Sequence, residues 1–322
     1  RLEFDRVVLD RPHFYLKQFS DSIGGTNLDF IIEYFTPAER DTSARRQVSL
    51  YSDDMRINDA RFKLQKSGAA AKDFGVDFNN LDIGNINIDL EKIELEEDTL
   101  YADVQYISLK DRSGFEIEQL RALFKLSSSS MDFDDLTLRT PQSTVRTDLT
   151  FKYDRFSSFQ NFVDSVKIRS DFQASDINFS DISYFAPGLQ GFNQRLNIDG
   201  RVRGTVADLR GNGLKVAFGD HSYFIGDCDL SGLPDIKNTF VSLNLKKFST
   251  TAADLEYIQL PPFTEAHYID LPSEFDALGT IVFSGQFTGF YNDFVAYGEM
   301  RSDIGRLVLD LGITQEEVGV AT

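Results

Sequence analysis

Alternation of apolar and polar residues with a period of two is the feature that most constrains this chain. It is clear in LDIGNINIDL, which contains Ile86 and Ile88, and in MDFDDLTLRT, which contains Leu136 and Leu138. Gly, Asn, Asp and Ser interrupt these runs at short intervals, as turns do. Because successive side chains of a strand point to opposite faces, each strand is expected to have one apolar and one polar face. The pattern predicts a mainly β chain.

Helical signals are few and short. NLDFIIEYFTP, FSDISYFAP and TAADLEYIQLPP each have an acidic residue near the start and a proline just past an apolar cluster, which is typical of a short helix. Ser180 or Asp181, and Thr251, are the candidate N-caps. SSFQNFVDS is a fourth candidate helix. SGFEIEQLRALFKL also fits a helical spacing, but its position between predicted strands favours a strand.

Two stretches of the chain resemble each other. VAFGDHSYFIGDCDL (residues 216–230) and VAYGEMRSDIGRLVL (residues 295–309) align without gaps, and a strand followed by a short helix is expected before each. We interpret residues 163–236 and 238–312 as two copies of one unit. The chain is thus expected to comprise an N-terminal β segment, 1–160, and a repeat region, 161–322, without a true linker. The repeated glycines are interpreted as turn residues.

A sheet with one apolar face must bury that face against something. The repeats predict an elongated, repetitive sheet with a few short helices, and three arrangements would bury its apolar face: a sandwich, a barrel, or a half-pipe that folds lengthwise around an apolar groove. The alternative is that the same side chains form a dry core between two sheets. The residues expected to line the groove are Ile86, Ile88, Leu136, Leu138, Leu149, Phe151, Val202, Val216, Phe218, Cys228, Leu230, Ile281, Val295, Tyr297, Leu307 and Leu309.

Charge and motif content narrow the classes of function. The chain has 33 Lys and Arg against 51 Asp and Glu, a formal net charge of −18, which argues against binding to nucleic acid or to an anionic membrane surface. Cys228 is the one cysteine and is interpreted as a small core residue. His13, His221 and His267 are far apart, and the acidic runs DFDD and EED are interpreted as solvated turns. The sequence therefore predicts neither a metal site, nor a cofactor, nor an enzyme.

The stretch MDFDDLTLRTPQSTVRTDLTFKYD (residues 131–154) resembles a recurring element of the TamB/AsmA-like family, and in particular its Bacteroidetes branch. Leu136, Leu138, Thr140, Ser143 and Val145 occupy the positions of that element. FSDISYFAPGLQGFNQRLNIDGRVRGTVADLRG and GTIVFSGQFTGFYNDFVAYGEMRSDIGRLVLDL are similar to other elements of the family. The resemblance extends over nearly the whole chain, although its motifs are patterns rather than invariant residues.

This resemblance implies that the sheet is the half-pipe with an apolar groove, a fold called a β-taco. It also implies a periplasmic segment of a longer protein, tethered to the inner membrane by an anchor outside the segment. Phospholipid acyl chains would be the ligands of its groove, and phospholipid transport between the inner and outer membranes would be its function. The alternative is a scaffold for assembly or translocation of outer-membrane proteins with a BamA-like barrel as partner, in which an exposed sheet edge pairs with client strands.

Overall fold

The computed structural model of the protein describes residues 2–19, 25–27, 49–96, 98–290 and 292–314. The chain divides into two compact units, Arg1–Ser143 (unit 1) and Thr144–Thr322 (unit 2). Strands make up most of both units, and the short helices among the described residues all lie in unit 2. The helix predicted at NLDFIIEYFTP falls mainly outside the described residues.

Unit 1 is a sheet in which the first two strands pair parallel with the third. From β3 to β7, each strand pairs antiparallel with the next strand in the sequence. Both β1 and β2 lie beside β3, because β3 is long enough for one to follow the other along it. The strands are β1 (Leu2–Asp10), β2 (His13–Gln18), β3 (Leu50–Lys66), β4 (Asp82–Glu96), β5 (Thr99–Asp111), β6 (Glu116–Leu126) and β7 (Ser130–Arg139).

In the part of unit 2 that the structure describes, nine strands form a sheet, each antiparallel to the next strand in the sequence. Short hairpin turns join β10 to β11, β11 to β12, β14 to β15 and β15 to β16, and the other connections are longer. The strands are β8 (Thr144–Lys152), β9 (Lys167–Asn178), β10 (Arg195–Gly204), β11 (Asp208–Phe218), β12 (Ser222–Ser231), β13 (Phe240–Thr250), β14 (Ile281–Phe290), β15 (Asp293–Ser302) and β16 (Gly305–Thr314).

The prediction of a mainly β chain built on an open sheet with a few short helices is confirmed. SGFEIEQLRALFKL contributes strand β6, as its position between strands favoured. The helices are α1 (Phe162–Ser165), α2 (Phe179–Ser183) and α3 (Ala252–Glu256), and 3-10 turns occupy Phe156–Asn161, Pro187–Leu189, Ile236–Asn238 and Ser273–Leu278.

The N-caps of two helices are defined by side-chain hydrogen bonds. Thr251 caps α3 as predicted, because its hydroxyl accepts a hydrogen bond from the Asp254 amide at 3.3 Å. The cap of α2 is Asn178, not Ser180 or Asp181, since the Asn178 side chain accepts from the Ser180 amide at 2.9 Å. An Asn at this position satisfies a free N–H of the first turn as well as a serine does.

Residues 163–236 and 238–312 contain their elements in the same order, namely a strand, a short helix and three strands. The residues that the sequence alignment matches, however, occupy different positions in the strands. Gly219 lies in the turn between β11 and β12 and has a φ of 58°, whereas its counterpart Gly298 lies inside β15 and pairs with Gly285. The division between the two units falls at Ser143 and Thr144, so that β8 belongs with the strands of unit 2.

Candidate functional site: the apolar face of unit 2

Ladder register assigns each side chain of unit 2 to one of two faces, because directly paired residues of neighbouring strands point to the same side. One face, which we call the apolar face of unit 2, carries rows of apolar residues that run across the strands. One row is Val202, Gly211, Cys228, Leu243, Phe287, Ala296 and Leu311. A second row is Ile198, Val216, Phe224, Phe248, Phe283, Met300 and Leu307.

No Asp, Glu, Lys, Arg or His occupies a paired position of this face in the described parts of β10 to β16. The charged residues at paired positions of the same strands lie on the opposite face. Examples are Arg201 between Gly200 and Val202, Lys215 before Val216, and Asp229 beside Cys228. A charged group in an apolar environment costs several kcal/mol or more, so this segregation is what an apolar binding surface requires.

The apolar face is only partly shielded from solvent. Leu214, Val216, Leu245 and Ile281 are fully buried, but most other apolar side chains of the face are half-buried. Although the chain is rich in phenylalanine, Tyr153 and Phe263 are the fully buried aromatic residues among those the structure describes. A dry core between two packed sheets would bury more of them.

Two neighbouring glycines on this face are covered by one aromatic ring. Gly285 and Gly298 are direct partners on β14 and β15, and the ring of Phe283 lies against both. A Cβ atom at Gly298 would lie 2.3 Å from the Ser284 carbonyl oxygen and 3.0 Å from the Phe283 ring. Glycine is therefore required here for close approach, not for a turn.

Short helices and loops cover the strand ends on either side. At one end, Phe162 of α1 packs against Phe151, with ring centroids 5.7 Å apart. At the other end, Phe192 packs between Phe179 and Phe263, at centroid distances of 4.8 and 4.4 Å. These aromatic contacts bound the apolar face along the direction of the strands.

A buried carboxylate fixes α3 to this end of the sheet. Asp254 is 5% exposed and accepts hydrogen bonds from the amides of Asp220 and His221 at 3.2 and 2.8 Å, and from the Ser222 hydroxyl at 2.7 Å. Burial opposes its ionisation, but these hydrogen bonds outweigh that effect and hold the pKa of Asp254 below its usual range. The carboxylate clamps the turn between β11 and β12.

Most of the predicted lining residues of unit 2 share the apolar face. Leu149 and Phe151 join it through β9, where they pair with Ser170 and Ile168. The other residues placed on this face are Val202, Val216, Phe218, Cys228, Leu230, Ile281, Leu307 and Leu309.

Val295 and Tyr297 lie on the opposite face, which corrects the expectation for these two residues. They pair with Thr288 and Gln286 on β14, and they are 55% and 51% exposed. The cause is an extra residue in β11, where the ladder shifts between Gly211 and Leu214, whereas β14 and β15 pair without a shift. Because side chains alternate, a shift of one residue exchanges the two faces.

Unit 1 carries a comparable apolar face of its own. Ile57, Ile88, Ile107, Leu120 and Leu138 are paired in turn across β3 to β7. The other predicted residues of this unit lie on the same side: Ile86 pairs with Ala60, and Leu136 is fully buried two positions before Leu138.

Several residues of the apolar face were absent from the predicted set. Leu243, Phe283, Phe287, Ala296 and Leu311 lie in its central rows. The alternation in GTIVFSGQFTGF contains the signal for Phe283 and Phe287, since the two phenylalanines are spaced by an even number of residues.

Reactive side chains do not assemble into a site among the described residues. Cys228 is half-buried in the apolar face, and burial, together with the nearby Asp229, raises the pKa of its thiol to about 12. No group of three or more metal-ligating side chains is present in the part of the chain that the structure describes. Within that part, no helix is long and apolar enough to cross a membrane.

Comparisons with known proteins identify no relative: no family model, no curated protein and no solved structure matches this chain.

Proposed function

We propose that the apolar face of unit 2 binds lipid acyl chains and that the chain is a non-enzymatic segment of a lipid conduit. The observation that carries the proposal is the combination of rows of apolar side chains without a charged group and the partial exposure of those side chains. A face covered by protein would be expected to be more completely buried, and a face that contacts only water would be expected to carry polar residues.

The energetics favour a linear apolar ligand. Each methylene group removed from water contributes about 0.8 kcal/mol, so a chain lying across several rows gains affinity with its length. The charged opposite face keeps the sheet soluble while the apolar face is occupied.

The resemblance of residues 131–154 to TamB/AsmA-like proteins supports a location and a route for this activity. In this proposal, the chain lies in the periplasm and phospholipids pass along it between the inner and outer membranes. The direction of transport would be supplied by other components.

Photocrosslinking tests which face carries lipid. A photoreactive amino acid at Phe287, on the apolar face, should form lipid adducts that mass spectrometry detects in the protein purified from cells. The matched control is the adjacent Gln286, which is exposed on the opposite face. Equal lipid adducts at both positions would contradict the proposal, and adducts with outer-membrane proteins at either position would support the scaffold alternative instead.

A pair of aspartate substitutions provides a second, independent test of lipid binding to the apolar face of unit 2. Leu243→Asp places a carboxylate in the central row, and lipid recovered with the protein should fall at least tenfold, because a charge there opposes an acyl chain. Ser242→Asp adds the same charge on the other face of the same strand and should leave lipid recovery unchanged. Thermal unfolding of both variants verifies that the sheet has formed, and normal lipid recovery with folded Leu243→Asp would refute the proposal.

A further inference from the structure

A basic cleft of about 560 Å³ lies in unit 1. It is formed where β2 and the end of β3 meet the start of β4 and the turn after β5. The polar side chains that line it include His13, Arg61, Lys63, Asn80, Asp82 and Arg112. Arg61 and Lys63 belong to the polar face of β3, because they alternate with Phe62, which pairs with Ile83 on the apolar face of unit 1.

The charge of this cleft is opposite to that of the chain. Its lining includes Arg61, Lys63 and Arg112 but one carboxylate, Asp82, in a protein with a formal net charge of −18. Asp82 accepts two hydrogen bonds of 2.8 Å from the Arg61 guanidinium, and the Lys63 Nζ lies 3.2 Å from it. One carboxylate is thus shared between two cations.

The third cation, Arg112, has side-chain N–H groups that are available to a ligand. The Arg112 guanidinium lies 3.6 Å from Asp77 Oδ2, too far for a hydrogen bond. Asp77 is already held by the amides of Lys72 and Asn79 and by the Asn80 side chain, at 3.2, 3.0 and 3.0 Å. Among the described residues, Arg112 therefore donates no side-chain hydrogen bond, and about half of its side chain is exposed.

We propose that this cleft binds a phosphate group. Lys63 and Arg112 would donate charge-assisted hydrogen bonds to its oxygens, with His13 at the same opening, while Arg61 stays bound to Asp82. The phosphate could belong to a phospholipid headgroup or to a small soluble phosphate ester, since the chemistry of recognition is the same.

Calorimetric titration of the full chain at low salt tests this site with three probes. They are inorganic phosphate, a short-chain phosphatidic acid below its micelle concentration, and an uncharged monoacylglycerol. Lys63→Gln and Arg112→Gln should each weaken binding of both phosphate probes about tenfold, as expected for loss of a hydrogen bond between charged groups. The control is Arg121→Gln, which removes the same charge from an exposed position on β6 and should have no effect.

The three probes separate the two phosphate sources. Phosphatidic acid that binds at least tenfold more tightly than inorganic phosphate identifies a lipid headgroup, and equal affinities identify a soluble phosphate. No phosphate binding, or equal weakening by all three variants, would overturn the proposal.

Monoacylglycerol tests the apolar face separately, because it lacks phosphate and its binding should not respond to Lys63→Gln. Absence of monoacylglycerol binding with intact phosphate binding would refute the proposed acyl-chain function and leave the basic cleft standing.

Discussion

At the residue scale, Asp254 shows how one side chain can hold a helix to a sheet. The substitution Asp254→Asn replaces one carboxylate oxygen, which accepts hydrogen bonds, by an NH2 group, which can only donate. This NH2 group would face N–H or O–H groups that are themselves donors. We expect the free energy of unfolding at pH 7 to fall by about 1–3 kcal/mol, which is the cost of a buried polar group left without its partner. Urea denaturation followed by circular dichroism measures this change.

The pH dependence of the same variant has a definite sign. Because the folded-state pKa of Asp254 is lowered, the carboxylate contributes stability above the unfolded pKa, and this contribution is lost as the pH falls through the folded value. As the pH falls, the carboxyl of Asp254 in the unfolded chain protonates near pH 4, before the carboxyl in the folded protein does. The destabilisation by Asp254→Asn should therefore shrink below about pH 4. Asp220→Asn, at an exposed neighbour, is the control and should show little effect at either pH. A loss independent of pH would mean that the charge of Asp254 contributes nothing.

The candidate site could be predicted from the sequence where alternation continued without interruption. Leu136 and Leu138, or Leu149 and Phe151, lie on one face because each pair is separated by one residue in a regular stretch of strand. Val295 was misplaced because the match with Val216 carried a face assignment across an extra residue in β11. Sequence similarity between the two repeats shows which residue types recur. The face of the sheet to which a side chain points depends on the pairing register of the strands, and a single sequence does not give that register.

At the element scale, several strands contain a bulge that interrupts the alternation of their side chains. Asp59, Asn85, Lys92, Asp135 and Ala174 all lie inside strands with φ between 41° and 52°. This left-handed conformation is typical of a bulge, and it lets the apolar residues on both sides of the interruption face the same way. Strand identity was therefore easier to predict than strand register, because bulges at Lys and Ala leave no compositional signal.

Gly298 offers a test of close packing between two strands. Gly298→Ala would place a Cβ atom 2.3 Å from the Ser284 carbonyl oxygen, so β14 and β15 would have to separate. Gly305→Ala is the matched control, because Gly305 has a similar φ, 151° against 157°, but nothing lies within 4 Å of its Cβ position. The free energy of unfolding of Gly298→Ala should be lower than that of the control by about 1–3 kcal/mol, the usual cost of overpacking. Equal thermal stabilities would show that the two strands do not approach as closely as described.

At the scale of the whole molecule, the chain has a strongly negative formal charge, the apolar face of unit 2 has no charged residue at a paired position of β10 to β16, and unit 1 has a local basic cleft. Between 0.1 and 1 M NaCl, the screening length falls from about 10 Å to about 3 Å. Binding of inorganic phosphate should weaken several-fold over this range, while binding of an uncharged monoacylglycerol should be unchanged. A monoacylglycerol affinity that falls as steeply as the phosphate affinity would place that ligand on charged groups rather than on an apolar face.

The pairing of each strand with its successor, from β3 to β7 and from β8 to β16, also bears on how the chain folds. Contact order in such a sheet is low for a β protein, because a strand needs only the one just made before it in order to pair. From β3 to β7 and from β8 to β16, the sheet can therefore grow by one strand at a time, in the order in which the strands are synthesised. Each newly formed edge strand is covered by the next strand of the same chain, which is held close to it by the covalent connection. Edge strands that would otherwise pair with strands from other molecules are thereby protected during folding.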